Sequence, residues 1–198
     1  MKIPIKKERI FRIISTENYL TVSKIAKKTG LAKSYVSKIV KDLKEKNVIW
    51  GGEKLYVNYS NLIREWGDFK RNIFNSLKPL IVDIFFPEKI KEVIEEYVVS
   101  GPFAEMLIQG QSPGKPIVVY LKKDYLKIEN ELKKLGRTGR GYVLFYIYDE
   151  DIFNRSLKIK GWNIVSIPQV CADLIAMGTY ADLGFNLFEK WLNAGRRI

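Results

Sequence analysis

Between Leu20 and Leu43 the chain reads Leu-Thr-Val-Ser-Lys-Ile-Ala-Lys-Lys-Thr-Gly-Leu-Ala-Lys-Ser-Tyr-Val-Ser-Lys-Ile-Val-Lys-Asp-Leu. No other stretch restricts the fold as much. Thr21 suits the N-cap of a helix over Val22 to Thr29, and Gly30 suits its left-handed stop. A second helix is predicted from about Lys33 to Lys46. Its Val36, Ile39, Val40 and Leu43 fall at i, i+3, i+4 and i+7, an apolar stripe that must face a core. Ile25 and Ala26 face inward on the first of these helices, and Leu31 plugs the corner between them. Upstream, residues 5–16 carry an apolar stripe of Ile10, Phe11, Ile13 and Ile14 at helical spacing. Downstream, Val48-Ile49-Trp50 and Leu55-Tyr56-Val57 flank Gly51-Gly52-Glu53-Lys54 and read as a β-hairpin.

The side of the Lys33–Lys46 helix opposite its apolar stripe presents Lys33, Ser34, Tyr35, Ser37, Lys38 and Lys41. A DNA major groove admits an α-helix. Short hydroxyls near the helix start permit close approach to base edges, and lysines on the flank reach phosphates. The hairpin places Gly52 and Lys54 at a tip, where Lys54 can touch a neighbouring phosphate. Charge agrees with this reading. Residues 1–60 hold 14 basic and 5 acidic side chains, and residues 61–198 hold 20 and 17, so the net +12 divides as +9 and +3. A local basic excess attracts polyanions through Coulomb steering and counterion release. Double-stranded DNA is therefore the expected partner.

This pattern resembles the winged helix-turn-helix transcription regulators of the multiple-antibiotic-resistance type, over residues 6–58. One departure is Ala32, where a Ser or Thr N-cap is usual. The resemblance implies duplex-DNA binding through the eight residues Lys33, Ser34, Tyr35, Ser37, Lys38, Lys41, Gly52 and Lys54.

Composition narrows the remainder. With 46% hydrophobic and 28% charged residues the chain has enough apolar side chains for a core, which argues against disorder. It contains no His, which removes His-based zinc sites and His-dependent nucleophilic dyads and triads. Cys171 is the single cysteine, so no intrachain disulfide forms and a small core residue is the expected role. The first residues lack an apolar segment of signal-peptide length, and the most apolar run, Leu80 to Phe86, is too short to span a bilayer and contains Asp83. No membrane association and a cytoplasmic location are expected. Three Gln among abundant Lys, Glu, Ile and Tyr resemble thermophile usage.

An α+β chain is expected. It comprises a winged helix-turn-helix over residues 1–60, a connecting helix over 61–79 and an α/β domain over 80–198. The connecting helix carries Leu62, Trp66, Phe69, Ile73 and Leu77 and is either a rigid connector or a dimerisation element, so a homodimer stays open. Further on, helices are predicted at 88–96, 103–109, 124–135, 168–177 and 179–193, and strands at 97–100, 116–121 and 142–148.

Val98-Val99-Ser100-Gly101-Pro102-Phe103-Ala104-Glu105 followed by Pro116-Ile117-Val118-Val119-Tyr120-Leu121 resembles the polymerase-β type of nucleotidyltransferase. There a Gly-Ser turn holds the triphosphate and two strand carboxylates hold Mg²⁺. The resemblance puts Pro116 and Val118 at those carboxylate positions, and neither ligates a metal through its side chain. Together with Val165-Ser-Ile-Pro-Gln-Val-Cys-Ala-Asp-Leu-Ile-Ala-Met-Gly178, most of the chain resembles the AbiEi-type abortive-infection antitoxins. Those join a winged helix to an inactive nucleotidyltransferase-like domain. The resemblance implies an autoregulating antitoxin, no enzymatic activity, no cofactor, no metal, and a nucleotidyltransferase-like toxin as a protein partner. A ligand-sensing regulator and an active nucleotidyltransferase remain alternatives.

Other features have simpler readings. Gly136-Arg-Thr-Gly-Arg-Gly141 reads as a solvated turn before a phosphate cradle. Asp149-Glu150-Asp151 reads as a polar loop before a cation site. Tyr142, Phe145, Tyr146 and Tyr148 read as strand packing, and Arg196-Arg197 as either a frayed tail or extra phosphate contacts.

Overall fold

A computed structural model describes residues 5–122 and 125–196, with the side chains of 125–129 left aside. Three helices open the chain: α1 Lys7–Thr16, α2 Val22–Thr29 and α3 Lys33–Glu45. The strands β1 Ile49–Gly51 and β2 Leu55–Val57 form an antiparallel hairpin, and Leu20 bridges to Leu55 as a third, single-residue rung. The long helix α4 Tyr59–Ser76 follows, capped by the Asn58 side chain accepting from the Asn61 amide at 3.1 Å.

The remaining elements are β3 Leu80–Asp83, α5 Lys89–Val93, β4 Tyr97–Ser100, α6 Gly101–Ile108, β5 Ile117–Leu121, α7 Tyr125–Leu135, β6 Arg137–Thr138, β7 Val143–Ile147, a 3-10 helix Glu150–Arg155, β8 Leu157–Ile159, β9 Trp162–Ile164, α8 Ile167–Ala176 and α9 Ala181–Asn193. The strands make one mixed sheet in the order β6-β3-β7-β5-β4-β9-β8. β5 runs parallel to β7 and β4 parallel to β9, while β4 and β5 are antiparallel with Ser100 opposite Val118. Every residue of β4 and β5 is buried, which explains their unbroken apolar sequences.

The sequence-predicted elements at 97–100, 116–121, 124–135, 142–148, 168–177 and 179–193 are present within a residue or two. The helix expected at 88–96 is shorter, because Ile94 is already extended. The strands β3, β6, β8 and β9 are additions to the predicted set. β8 and β9 turn at Lys160 and Gly161, both at positive φ, and β6 is a two-residue edge.

The connecting helix is not a free arm. Its stripe of Leu62, Trp66 and Ile73 is buried, with Phe69 and Leu77 half-buried, and the helix packs on α1 and α8 of the same chain. Trp66 stacks on Phe11 of α1 with centroids 5.7 Å apart. Against α8 the approach is close enough that a Cβ on Gly67 would stand 2.3 Å from the Ile175 Cγ2, so only glycine fits there without a shift.

A buried polar network crosses this junction. Glu8 of α1 accepts from Trp66 Nε1 at 2.9 Å, Arg12 Nη2 at 3.2 Å, Gln169 Nε2 at 3.3 Å and the Tyr148 hydroxyl. Lys70 Nζ lies 3.4 Å from both Glu8 and Asp173 and donates to the Tyr148 hydroxyl at 2.8 Å. Asp173 of α8 also accepts from Ser100 at 2.6 Å, Tyr120 at 2.7 Å and Gln169 at 2.9 Å. Buried charges survive only when paired and hydrogen-bonded, and each of these is. Burial pushes the Glu8 carboxyl up, but Lys70, Arg12 and the hydrogen bonds outweigh it and hold it below the usual carboxylate range. At Asp173 burial prevails over Lys70, and the carboxyl is raised.

Candidate nucleic-acid interface

The helix pair is set by local chemistry. The Thr21 hydroxyl accepts from the Lys24 amide at 3.1 Å, and Gly30 turns left-handed at φ 66°. Ala32 offers no side-chain cap, and α3 begins directly at Lys33. Val36, Val40 and Leu43 are buried and Ile39 is half-buried, which leaves Lys33, Ser34, Ser37, Lys38 and Lys41 exposed along one side. Tyr35 takes a different position from the one expected. It packs against the core at the stripe's edge, its hydroxyl is shielded and has no hydrogen-bond partner among the described residues, and burial raises its pKa.

Pairing with carboxylates separates the lysines and arginines of this segment into two groups. Lys7 and Lys46 meet Asp42 and Glu65, Lys24 and Lys28 meet Glu17, Arg9 meets Asp149, and Arg12 meets Glu8 and Asp151. Lys33, Lys38, Lys41 and Lys54, with Lys27 on α2, have no carboxylate partner among the described residues. The basic excess of this segment thus divides into a set paired with carboxylates, of which Arg9 and Arg12 fasten α1 to the C-terminal half, and an unneutralised set on α3 and the wing together with Lys27. Gly52 is exposed at the wing tip. Lys54 does not simply extend into solvent: its ammonium sits 5.3 Å from the Tyr56 ring centroid and 5.8 Å from that of Tyr19. Lys44 Nζ donates to the Gly51 carbonyl at 2.5 Å and ties the hairpin to α3.

In the C-terminal half, the strand–turn–helix–strand order β4-α6-β5 is present. Ser100 is fully buried and its hydroxyl is committed to Asp173. Val118 is buried, and a Cβ built on Gly101 would stand 3.1 Å from its Cγ2. The strand face next to the turn is therefore apolar. Among the described residues no three Cys, Asp or Glu side chains group as a metal site.

The Gly136–Gly141 segment contains the two-residue edge strand β6 and turns on either side of it. A Cβ on Gly136 or Gly141 would collide with the Asp83 backbone at 1.9 and 2.4 Å. Those glycines serve close strand approach. Asp149 and Asp151 accept from Arg9 and Arg12 and so anchor α1. Phe145, Tyr146 and Tyr148 are buried in packing, and Tyr142 donates to the Ile84 carbonyl at 2.5 Å. Arg196 lies over the Tyr59 ring at 4.4 Å, while Arg197 falls outside the described residues.

Residues that sequence reasoning passed over are Trp50, Tyr56 and Tyr19. They are 53%, 46% and 50% exposed on the wing and just before it. Strand alternation was the available signal, since Ile49 and Leu55 facing inward send Trp50 and Tyr56 outward.

Among the described residues no helix is long and apolar enough to cross a membrane. No curated protein and no solved structure matches the chain. Residues 5–49 match a family model described as winged helix-turn-helix DNA-binding. Those residues run from α1 to the first wing residue, so the exposed hydroxyls and unpaired lysines of α3 belong to a winged helix-turn-helix DNA-binding domain.

Proposed function

We propose that the chain is a sequence-specific, duplex-DNA-binding transcription regulator, reading bases with Ser34, Ser37 and Lys38 and holding phosphates with Lys33, Lys41 and the wing around Gly52 and Lys54. The observation that carries this reading is the unneutralised lysine set on α3 and the wing, set apart from Lys7, Arg9, Arg12, Lys24, Lys28 and Lys46, which are paired with carboxylates, and Lys44, which is bonded to backbone. The finer reading is an autoregulating antitoxin whose C-terminal domain is catalytically inactive and faces a nucleotidyltransferase-like toxin. Its support is the apolar face at Val118 and the Ser100 hydroxyl committed to Asp173.

Selection of a binding site from a random duplex library with the full chain tests the proposal. Ser37→Ala and Lys38→Ala are then expected to narrow the gap between selected and random DNA, by about 1–3 kcal/mol for each side chain that reads a base edge. Lys41→Ala is expected to weaken all duplexes alike and to flatten the slope of log affinity against log salt by about 0.9. Variants of Ser37 and Lys38 that keep full discrimination would show that α3 does not read bases.

A further inference from the structure

The outer face of the wing carries side chains that duplex reading by α3 does not use. Trp50 and Tyr56 are cross-strand partners, stacked with centroids 5.9 Å apart and planes 20° apart. Tyr19 joins them, since Leu20 beside it is bridged to Leu55. Large half-exposed rings leave apolar area in water that a bound ring would cover. Cations ring the patch. Lys54 covers Tyr56 and Tyr19, Lys24 lies 5.6 Å from Tyr19, and at the far end Arg196 lies over Tyr59 and donates to Asn18 Oδ1 at 2.8 Å. Trp50, Tyr56, Tyr59, Asn18 and Arg196 border a cleft of about 230 Å³. The carboxylate in that lining, Glu17, is taken up by Lys24 and Lys28.

Flat rings beside cations match the two halves of a nucleotide, a π-face and a phosphate. An intact duplex keeps its base faces stacked on one another and offers none to this surface. An unpaired nucleotide does. The patch is continuous with the reading helix, because Lys44 of α3 holds the Gly51 carbonyl next to Trp50. We propose that the outer wing face binds an unpaired nucleotide of a single-stranded segment adjoining the duplex held by α3, with the base on Trp50 and Tyr56 and its phosphates toward Lys54 and Arg196. This rests on the DNA-binding reading of α3.

The test uses the full chain with three probes: a blunt random-sequence duplex at low salt, the same duplex with a short oligothymidine tail, and oligothymidine alone. The tail is expected to tighten binding by about 5- to 140-fold, the range for one base stacked on an aromatic side chain. Trp50→Ala should remove most of that gain and leave blunt-duplex affinity unchanged, while Trp50→Phe should keep it. Trp50 is the exposed member of the four tryptophans, the others being at most 5% exposed. Its quenching by acrylamide therefore reports on this face without any substitution, and the tailed duplex should protect it. Equal binding of tailed and blunt duplexes, no protection of Trp50, or a gain that survives Trp50→Ala would overturn the proposal and leave the face to a protein contact. Oligothymidine that protects Trp50 while blunt duplex is not bound would support this site and sink the duplex reading instead.

Discussion

Replacing Lys70 with Met keeps the length of the side chain and removes its charge. In the wild type that ammonium is fully buried, 3.4 Å from each of the fully buried Glu8 and Asp173 carboxylates. Without it, Glu8 retains Arg12, but Asp173 has only neutral donors in Ser100, Tyr120 and Gln169. Removing one member of a buried ion network costs about 3–5 kcal/mol, because the abandoned charge stays desolvated. At a guanidinium slope of about 5 kcal/mol/M, that is a fall in the unfolding midpoint of roughly 0.6–1 M.

The sign of the pH dependence follows from the carboxyls. In the wild type Glu8 is held low, so its stabilisation is complete above its unfolded pKa and is lost as pH falls through the lower folded value. Asp173 is raised, so its contribution is complete below its unfolded pKa and declines as pH rises through the higher folded value. Taking Lys70 away removes the Coulomb attraction that lowers both. Both folded pKa values then rise, and the variant recovers stability as pH falls from neutral toward the carboxylate range. Guanidinium titrations of both proteins at pH 7 and pH 5, followed by tryptophan fluorescence, measure this. A midpoint change under about 0.2 M at pH 7, or a deficit as large at pH 5 as at pH 7, would refute the view that Lys70 neutralises buried anions.

Three further outcomes are expected. Thr21→Ala should destabilise by about 1 kcal/mol, read by thermal unfolding, because the Lys24 amide loses its acceptor. Gly67→Ala should destabilise by about 1–3 kcal/mol despite better helix propensity, because its Cβ meets the Ile175 side chain, and Ile175→Ala in the same chain should recover part of that loss. Incubation of the full chain with labelled nucleoside triphosphates, Mg²⁺ or Mn²⁺ and RNA or protein acceptors should give no labelled product. Transfer abolished by substituting a carboxylate of the C-terminal half would overturn the inactive-domain proposal.

The helices and turns of the first 58 residues were legible in the sequence because their determinants are local. Thr21 caps within three residues, Gly30 stops a helix through its own φ, and the Val36–Leu43 stripe repeats at the helical period. The buried strands β4 and β5 were equally readable as apolar runs. Strands β3, β6, β8 and β9 were not, since they are short, lack the wholly buried apolar run of β4 and β5, and in β3 and β6 depend on distant pairs such as Val82 with Thr138.

The candidate site divides along the same line. Exposure of Lys33, Ser34, Ser37, Lys38 and Lys41 followed from periodicity, but which cations stay unneutralised did not. Arg9 and Arg12 find Asp149 and Asp151 some 140 residues away, and a count of charges along the chain treats them as equal to Lys38. Tyr35 is partly buried against the core, a packing that the helical period alone does not set. Local spacing therefore determined which side of α3 faces outward, while ion pairing in the folded chain, much of it between residues far apart in sequence, decided where the free positive charge lies.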